Sequence, residues 1–454
     1  MINRRHFLAH AAGAAGILLP GMRFLSGLRA AQDTLKRENK SLIVMWMGGG
    51  PSHMDLWDLK PGEKTNIFEE IKTKVSGINI SELLPGVAGV MDKLSIIRSL
   101  VTNEGSHDRG TTLMNTGRMP SQVVQYPSIG SITASLTAPK DLALPAFIGV
   151  GGTAQRIGPG FLGMNYAPFT VQNPGQPPAN IAAPASLGTG DEATMRQHRR
   201  QRLFYDIEDN FADATYPHLG GTSTGKKEKE KEIEAAMDAV GSPAQSHKTV
   251  YHKAFDLTIS PLRAVFKVQD EDKKVRDSYG GDGNQFGMGL LLARKLIEKG
   301  VTCVEVDLGG WDNHGNIKQA LQGNGQPNNM GLAGRLDKGF SGLVNDLVTR
   351  GLWKNTVVLW MGDFGRTPKI NQGNGRDHWP KMSVVVGGGN INGGLVYGST
   401  TKDGMDVDQD KCGVADLYAT IYKGLGIDPD TPIRDNLGRP TKIAEGGKVL
   451  KGIV

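Results

Sequence analysis

Short apolar runs recur along the chain, each closed by glycine or a polar turn. Ser41–Met47 (SLIVMWM), Leu94–Arg98, Ala146–Val150, Val301–Leu308 (VTCVEVDL), Thr356–Met361 and Met382–Val386 are too short for buried helices, and several are rich in β-branched residues. They read as strands buried on both faces. Longer segments between them show helical spacing: Gln285–Lys299, Gly413–Gly424, and Gly331–Arg350 with Leu332, Leu336, Phe340, Leu343 and Leu347 on one face. Alternating strands and helices predict an α/β fold, a largely parallel central sheet with helices on both faces. Pro168–Gly280 breaks the rhythm. It opens with a proline- and asparagine-rich loop and continues as a charged helical stretch, so it reads as a helical and loop insertion or cap over a single domain spanning 41–442.

The first 31 residues are an address. Asn3-Arg4-Arg5-His6-Phe7-Leu8 is a twin-arginine sequence, and the apolar run Ala9–Pro20 after it is too short for a membrane span. Cleavage is expected near Leu28–Ala31, so the expected partner is the twin-arginine translocation machinery and the expected location is periplasmic or extracellular. No transmembrane segment is expected in the mature chain. The peptide also carries four of the six net positive charges, in Arg4, Arg5, Arg23 and Arg29, and no acid. The remainder is nearly balanced, which gives no basis for nucleic-acid binding. Two cysteines exclude a disulfide framework. Sixty-two glycines, about twice the usual ~7%, predict many tight loops on a regular scaffold.

The chemistry collects just after the strands, where α/β sheets place their ligands. The first strand runs into Gly48-Gly49-Gly50-Pro51-Ser52-His53-Met54-Asp55, which lacks the lysine of a phosphate loop. The 301–308 strand runs into Gly309-Gly310-Trp311-Asp312-Asn313-His314, and the 356–361 strand into a loop bearing Asp363, Arg366, Asp377 and His378. Four of ten histidines, His53, His107, His314 and His378, fall in such loops. Carboxylates and imidazoles together suit a divalent ion: zinc, manganese, calcium or magnesium. Arg109 and Arg366 are suited to hold an oxyanion.

These motifs, with Thr116-Gly117-Arg118, Asp363-Phe364-Gly365-Arg366-Thr367-Pro368 and Gly375-Arg376-Asp377-His378-Trp379-Pro380, resemble a family of exported bacterial proteins, domain of unknown function fifteen-oh-one, of the alkaline phosphatase and sulfatase superfamily. The resemblance covers about Ser41–Lys442. It implies an alkaline-phosphatase-like fold and one or two divalent ions over the carboxyl ends of the strands. It implies Asp312, His314, Asp363 and His378 as ligands, with His53, Asp55 or Asp377 replacing the histidine donor that Phe364 removes. The usual nucleophile is missing: the position nine residues before Thr116 is His107, and no Cys-x-Pro-x-Arg signature exists. The expectation is therefore a metal-dependent hydrolase of anionic phosphate or sulfate esters, small or polymeric, with water, His107 or Ser52 attacking. The alternative is an inactive relative that binds anionic polymers outside the cytoplasm.

Overall fold

The structure is a computed structural model that describes residues 39–139, 141–176, 178, 190–215, 243–324 and 330–454. The twin-arginine segment and the lysine-glutamate run at 226–231 lie outside the described residues. Among the described residues the centre is a nine-stranded sheet. In chain order the strands are β1 (Ser41–Gly48), β2 (Leu94–Val101), β3 (Phe147–Val150), β4 (Phe169–Val171), β5 (Cys303–Gly309), β6 (Thr356–Gly362), β7 (Lys381–Gly388), β8 (Leu395–Tyr397) and β9 (Cys412–Gly413). They lie in the order β8-β2-β7-β6-β1-β5-β3-β4, with β9 also pairing β2.

All six expected strands form, and every pairing except those of β7 is parallel. β7 runs antiparallel to both β6 and β2. The reason is local: β6 ends at the carboxyl edge, the 363–380 loop stays there as a small ribbon pairing Gly365–Arg366 with His378–Trp379, and the next strand can only run back down.

Alternate residues of each central strand feed two cores. Ile43, Met45, Met47, Val358 and Trp360 pack on the side of α3 (Gln285–Ile297) and α4 (Gly331–Thr349). Leu42, Val44, Trp46, Val357 and Leu359 pack on the side of α1 (His107–Thr116), α2 (Ile129–Thr137) and α5 (Val414–Gly424). Burial on both faces is why these strands are continuously apolar instead of alternating. The segment expected to be an insertion is more varied than a cap: β4 extends the main sheet, while Asp191–Thr215 and Pro243–Ile259 form helices packed on one another. Among the described residues no helix is long and apolar enough to cross a membrane.

Candidate metal centre

Three strand-end loops and one helix start converge at the carboxyl edge. β1 turns through Gly49 at φ +109°, and a Cβ there would lie 2.5 Å from the Asp312 amide nitrogen, so only glycine lets this turn pass beneath the Asp312 loop. The Gly49 N–H donates to Asp363 Oδ1 at 3.1 Å. Gly110, one turn into α1, lets that helix approach so closely that an added Cβ would lie 2.9 Å from the Asp363 carbonyl oxygen. His107, the first residue of α1, is thereby brought against Asp363.

Each of three histidines has its Nδ1 facing an oxygen. His107 Nδ1 is 2.6 Å from Asp363 Oδ2, His314 Nδ1 is 2.9 Å from Asp377 Oδ1, and His378 Nδ1 is 2.7 Å from the Gly105 carbonyl oxygen. A carbonyl or carboxylate oxygen only accepts, so each Nδ1 carries the proton and, in the neutral ring, each Nε2 presents a lone pair. The three Nε2 atoms each approach Asp312 Oδ1. His314 Nε2 and His378 Nε2 are 2.9 Å apart, and Asp312 Oδ1 lies 3.0 Å from the first, 3.3 Å from the second and 3.4 Å from His107 Nε2. His107 Nε2 is buried without a hydrogen-bond partner among the described residues.

The Arg366 guanidinium meets two of these atoms, Asp312 Oδ1 and, at 3.3 Å, His314 Nε2, while His107 Nε2 has no donor among the described residues. A donor set of imidazole nitrogens and one carboxylate oxygen fits a divalent ion. His107, Asp312 and His378 can offer ligand atoms within 4.8 Å of one another. Asp363, Asp377 and the Gly105 carbonyl hold the rings from behind, the arrangement that fixes metal-binding histidines elsewhere.

Charge is set by one arginine. Burial works to raise the Asp312 carboxyl, but the hydrogen bond and charge of Arg366, with His378 and His107, outweigh it and hold the group at about 2. The hydrogen bond from His314, then that from Asn371, lowers the Asp377 carboxyl. Arg366 is itself completely buried. It donates to the carbonyls of Gly49, Gly50 and Arg376 and to Asp312. Its donors thus tie the three loops together, and the oxyanion role expected of it is taken up by internal acceptors.

The other expected residues divide clearly. Asp55 lies under the site: it receives Arg376 Nε at 2.7 Å and Nη2 at 2.8 Å, and the Ser52 hydroxyl donates to it at 2.5 Å. All three side chains are buried, so Ser52 is not presented to solvent and Asp55 is neutralised by a guanidinium. His53 is buried with neither ring nitrogen bonded among the described residues, and burial lowers it to about 4. Arg109 is exposed and held by Glu104 at 2.8 Å. His107, expected as a nucleophile, stands with the other imidazoles around Asp312 Oδ1. Two residues were not foreseen, Gly105 and Arg376; Phe364, expected only as a missing histidine donor, places its buried ring 4.9 Å from the His107 ring and 4.6 Å from the His378 ring. The Gly-Arg-Asp-His run holding Arg376 was visible, but nothing local marked its arginine as buried.

Three solved structures are similar to this chain at low identity. The PsFucS1 sulfatase from Pseudoalteromonas sp. is similar at 11% identity over 89% of this chain and 73% of that one, with a TM-score of 0.37. The lipoteichoic acid synthase LtaP from Listeria monocytogenes is similar at 11% identity over 90% and 76%, TM-score 0.34. The alkaline phosphatase from the Antarctic bacterium TAB5 is similar at 12% identity over 85% and 98%, TM-score 0.28. No curated protein matches the sequence. Residues 39–454 match the family model described as Protein of unknown function (DUF1501), and the chain belongs to that family.

Proposed function

We propose that this protein is an exported, metal-dependent hydrolase of phosphate or sulfate esters in which water is the attacking group. The observation that carries the reading is the convergence of His107, His314 and His378 Nε2 with Asp312 Oδ1, every ring held from behind by an oxygen. These four residues would hold the ion, and the three nitrogens favour zinc over the oxygen-seeking manganese, calcium and magnesium. When bound, the ion supplies charge to stabilise an ester oxyanion and to acidify water.

The chain's own residues do the rest. Asp363 orients His107, Asp377 orients His314, and Arg366 keeps Asp312 ionised at neutral pH. α1 begins at His107, so the positive end of its dipole adds to the ion's preference for an anionic group. Ser52 is spent on Asp55 and His107 is spent on the donor cluster, which leaves water as the attacking group. Exposed Arg109 attracts anions to the mouth without clamping them.

A second reading has its own support. Both arginines expected to grip the oxyanion are engaged by protein acceptors, as a protein that binds polyanions without turnover would tolerate. Elemental analysis of protein exported by its own route, beside His378→Ala, tests the site. About one equivalent of divalent metal, lost in the variant, is expected. A metal-loaded protein that cleaves aryl phosphates or sulfates supports the hydrolase, whereas metal without turnover favours the binder. Metal-free wild type, or metal retained in the variant, refutes the assignment.

A further inference from the structure

A cleft of about 360 Å³ opens at the carboxyl edge beside the metal loop, between the ends of β3 and β5 and the start of α3. Its polar lining consists of Asp307, Arg335, Gln172 and Gln285, with Phe286 as an apolar wall and Gly309 at the end towards Asp312. Asp307 Oδ2 accepts the amides of Gly152 and Thr153 at 2.9 Å each, which fixes the carboxyl group in the wall. The Arg335 guanidinium is half-buried and has no ion pair or hydrogen bond among the described residues. Elsewhere on this edge arginines are spent on the fold, as Arg366 and Arg376 are.

We infer that this cleft is a substrate subsite that binds the glycosyl ring of a saccharide ester, with Arg335, Asp307 and the two glutamines on its hydroxyls. The chemistry selects the class. A free phosphate or sulfate would meet the Asp307 carboxylate alongside Arg335. An apolar group would strip water from four polar side chains without replacing their hydrogen bonds. Vicinal hydroxyls donate and accept at once, and so satisfy a carboxylate, a guanidinium and carboxamides together. Position agrees: Gly309 is three residues from Asp312, at most about 11 Å of extended chain. A ring seated in the cleft therefore lies within reach of an ester group at the metal centre. The link to ester cleavage rests on the proposed hydrolase; the binding of the ring does not.

Calorimetry on the full exported chain separates the two. The probes are the methyl glycosides of glucose, galactose and mannose, which carry no ester, and their 6-sulfates and 6-phosphates. At least one neutral glycoside is expected to bind, and Arg335→Met to weaken it roughly tenfold or more, the loss of hydrogen bonds from one charged group. Gln172→Ala, at an exposed position, should weaken it less while leaving the fold untouched. Glycoside binding that persists in a protein with no esterase activity sustains the subsite and sinks the hydrolase. Failure of every glycoside to bind, or equal affinity in Arg335→Met and Gln172→Ala, overturns the subsite even if aryl esters are cleaved.

Discussion

Replacing Asp55 by alanine separates the buried scaffold from the ligand cluster. Arg376 is fully buried; besides its two bonds to Asp55 it donates to the carbonyls of Thr65, Thr367 and Pro368. Removing the carboxylate leaves a guanidinium without a counter-charge in a dry site and the Ser52 hydroxyl without its acceptor. Breaking one side of a buried pair costs about 3–5 kcal/mol. Unfolding residues 39–454 releases roughly 0.9 kcal/mol/K, at about 2.1 cal/mol/K per residue, so the expected fall in Tm is about 3–6 °C. Arg376 keeps its three carbonyl bonds, so the loop carrying His378 stays in place and metal content should be unchanged. Calorimetric melting and elemental analysis of the same sample read both quantities. A melting shift below about 1 °C would refute the buried-pair argument, and loss of metal at an unchanged Tm would make Asp55 a ligand after all.

Substituting Asp377 or Asp363 by alanine should weaken metal affinity by about 10–100-fold without abolishing it, the usual effect of removing a carboxylate behind a ligand histidine; competition with a chelator measures it, and an unchanged constant refutes the orienting role. Gly49→Ala should lower metal occupancy because its Cβ collides with the Asp312 backbone, and full occupancy would show that the turn relaxes freely. His53 adds a pH term: its folded value of about 4 lies below the unfolded 6.5, so the unfolded chain takes the proton first and stability is lost as pH falls through that window, by about 3 kcal/mol in all. Urea titrations of wild type and His53→Leu should therefore converge as pH falls from 7 to 4 if the variant is the weaker at neutrality, or the variant should pull ahead if it is not. A constant difference between the two refutes the assignment.

The sheet was legible because its strands are buried on both faces, which forces continuous apolar runs that no surface element imitates. Direction was not legible for β7, since a run such as Met382–Val386 carries no record of which way its neighbours point. α1 and α2 escaped for a different reason. Their sequences are small and polar, HDRGTTLMNT and IGSITASLT, and they pack through glycine and close backbone approach instead of an apolar stripe. At the site, Asp312, His314 and His378 stood out by their place after buried strands. His107 stood out as one of four loop histidines and as a possible nucleophile, but not as a partner of Asp363, because that contact depends on a helix start meeting a loop far along the chain. The buried arginines were the hardest to foresee: Arg366 read as an oxyanion holder and Arg376 only as part of a motif, yet turns built on Gly49, Gly50 and Gly375 leave carbonyl oxygens facing inward that only long donors reach.

Phe364 bears on how many ions such a site would hold. The resemblance implies one or two, and a second requires replacement donors from His53, Asp55 or Asp377. Asp55 is closed to that role by the Arg376 and Ser52 bonds, and Asp377 faces His314 and Asn371. His53 lies under Gly365, where an added Cβ would be 2.8 Å from its Nδ1, so backbone covers that nitrogen. Phe364 fills the remaining space with a ring packed against His107 and His378 and with Arg366 5.9 Å from its centre. An apolar ring there excludes water from one side of the donor cluster, which strengthens attraction between a single cation and Asp312. The same ring offers no donor for a second ion, so the proposed centre would hold one metal, and further charge for the proposed reaction would come from the helix start.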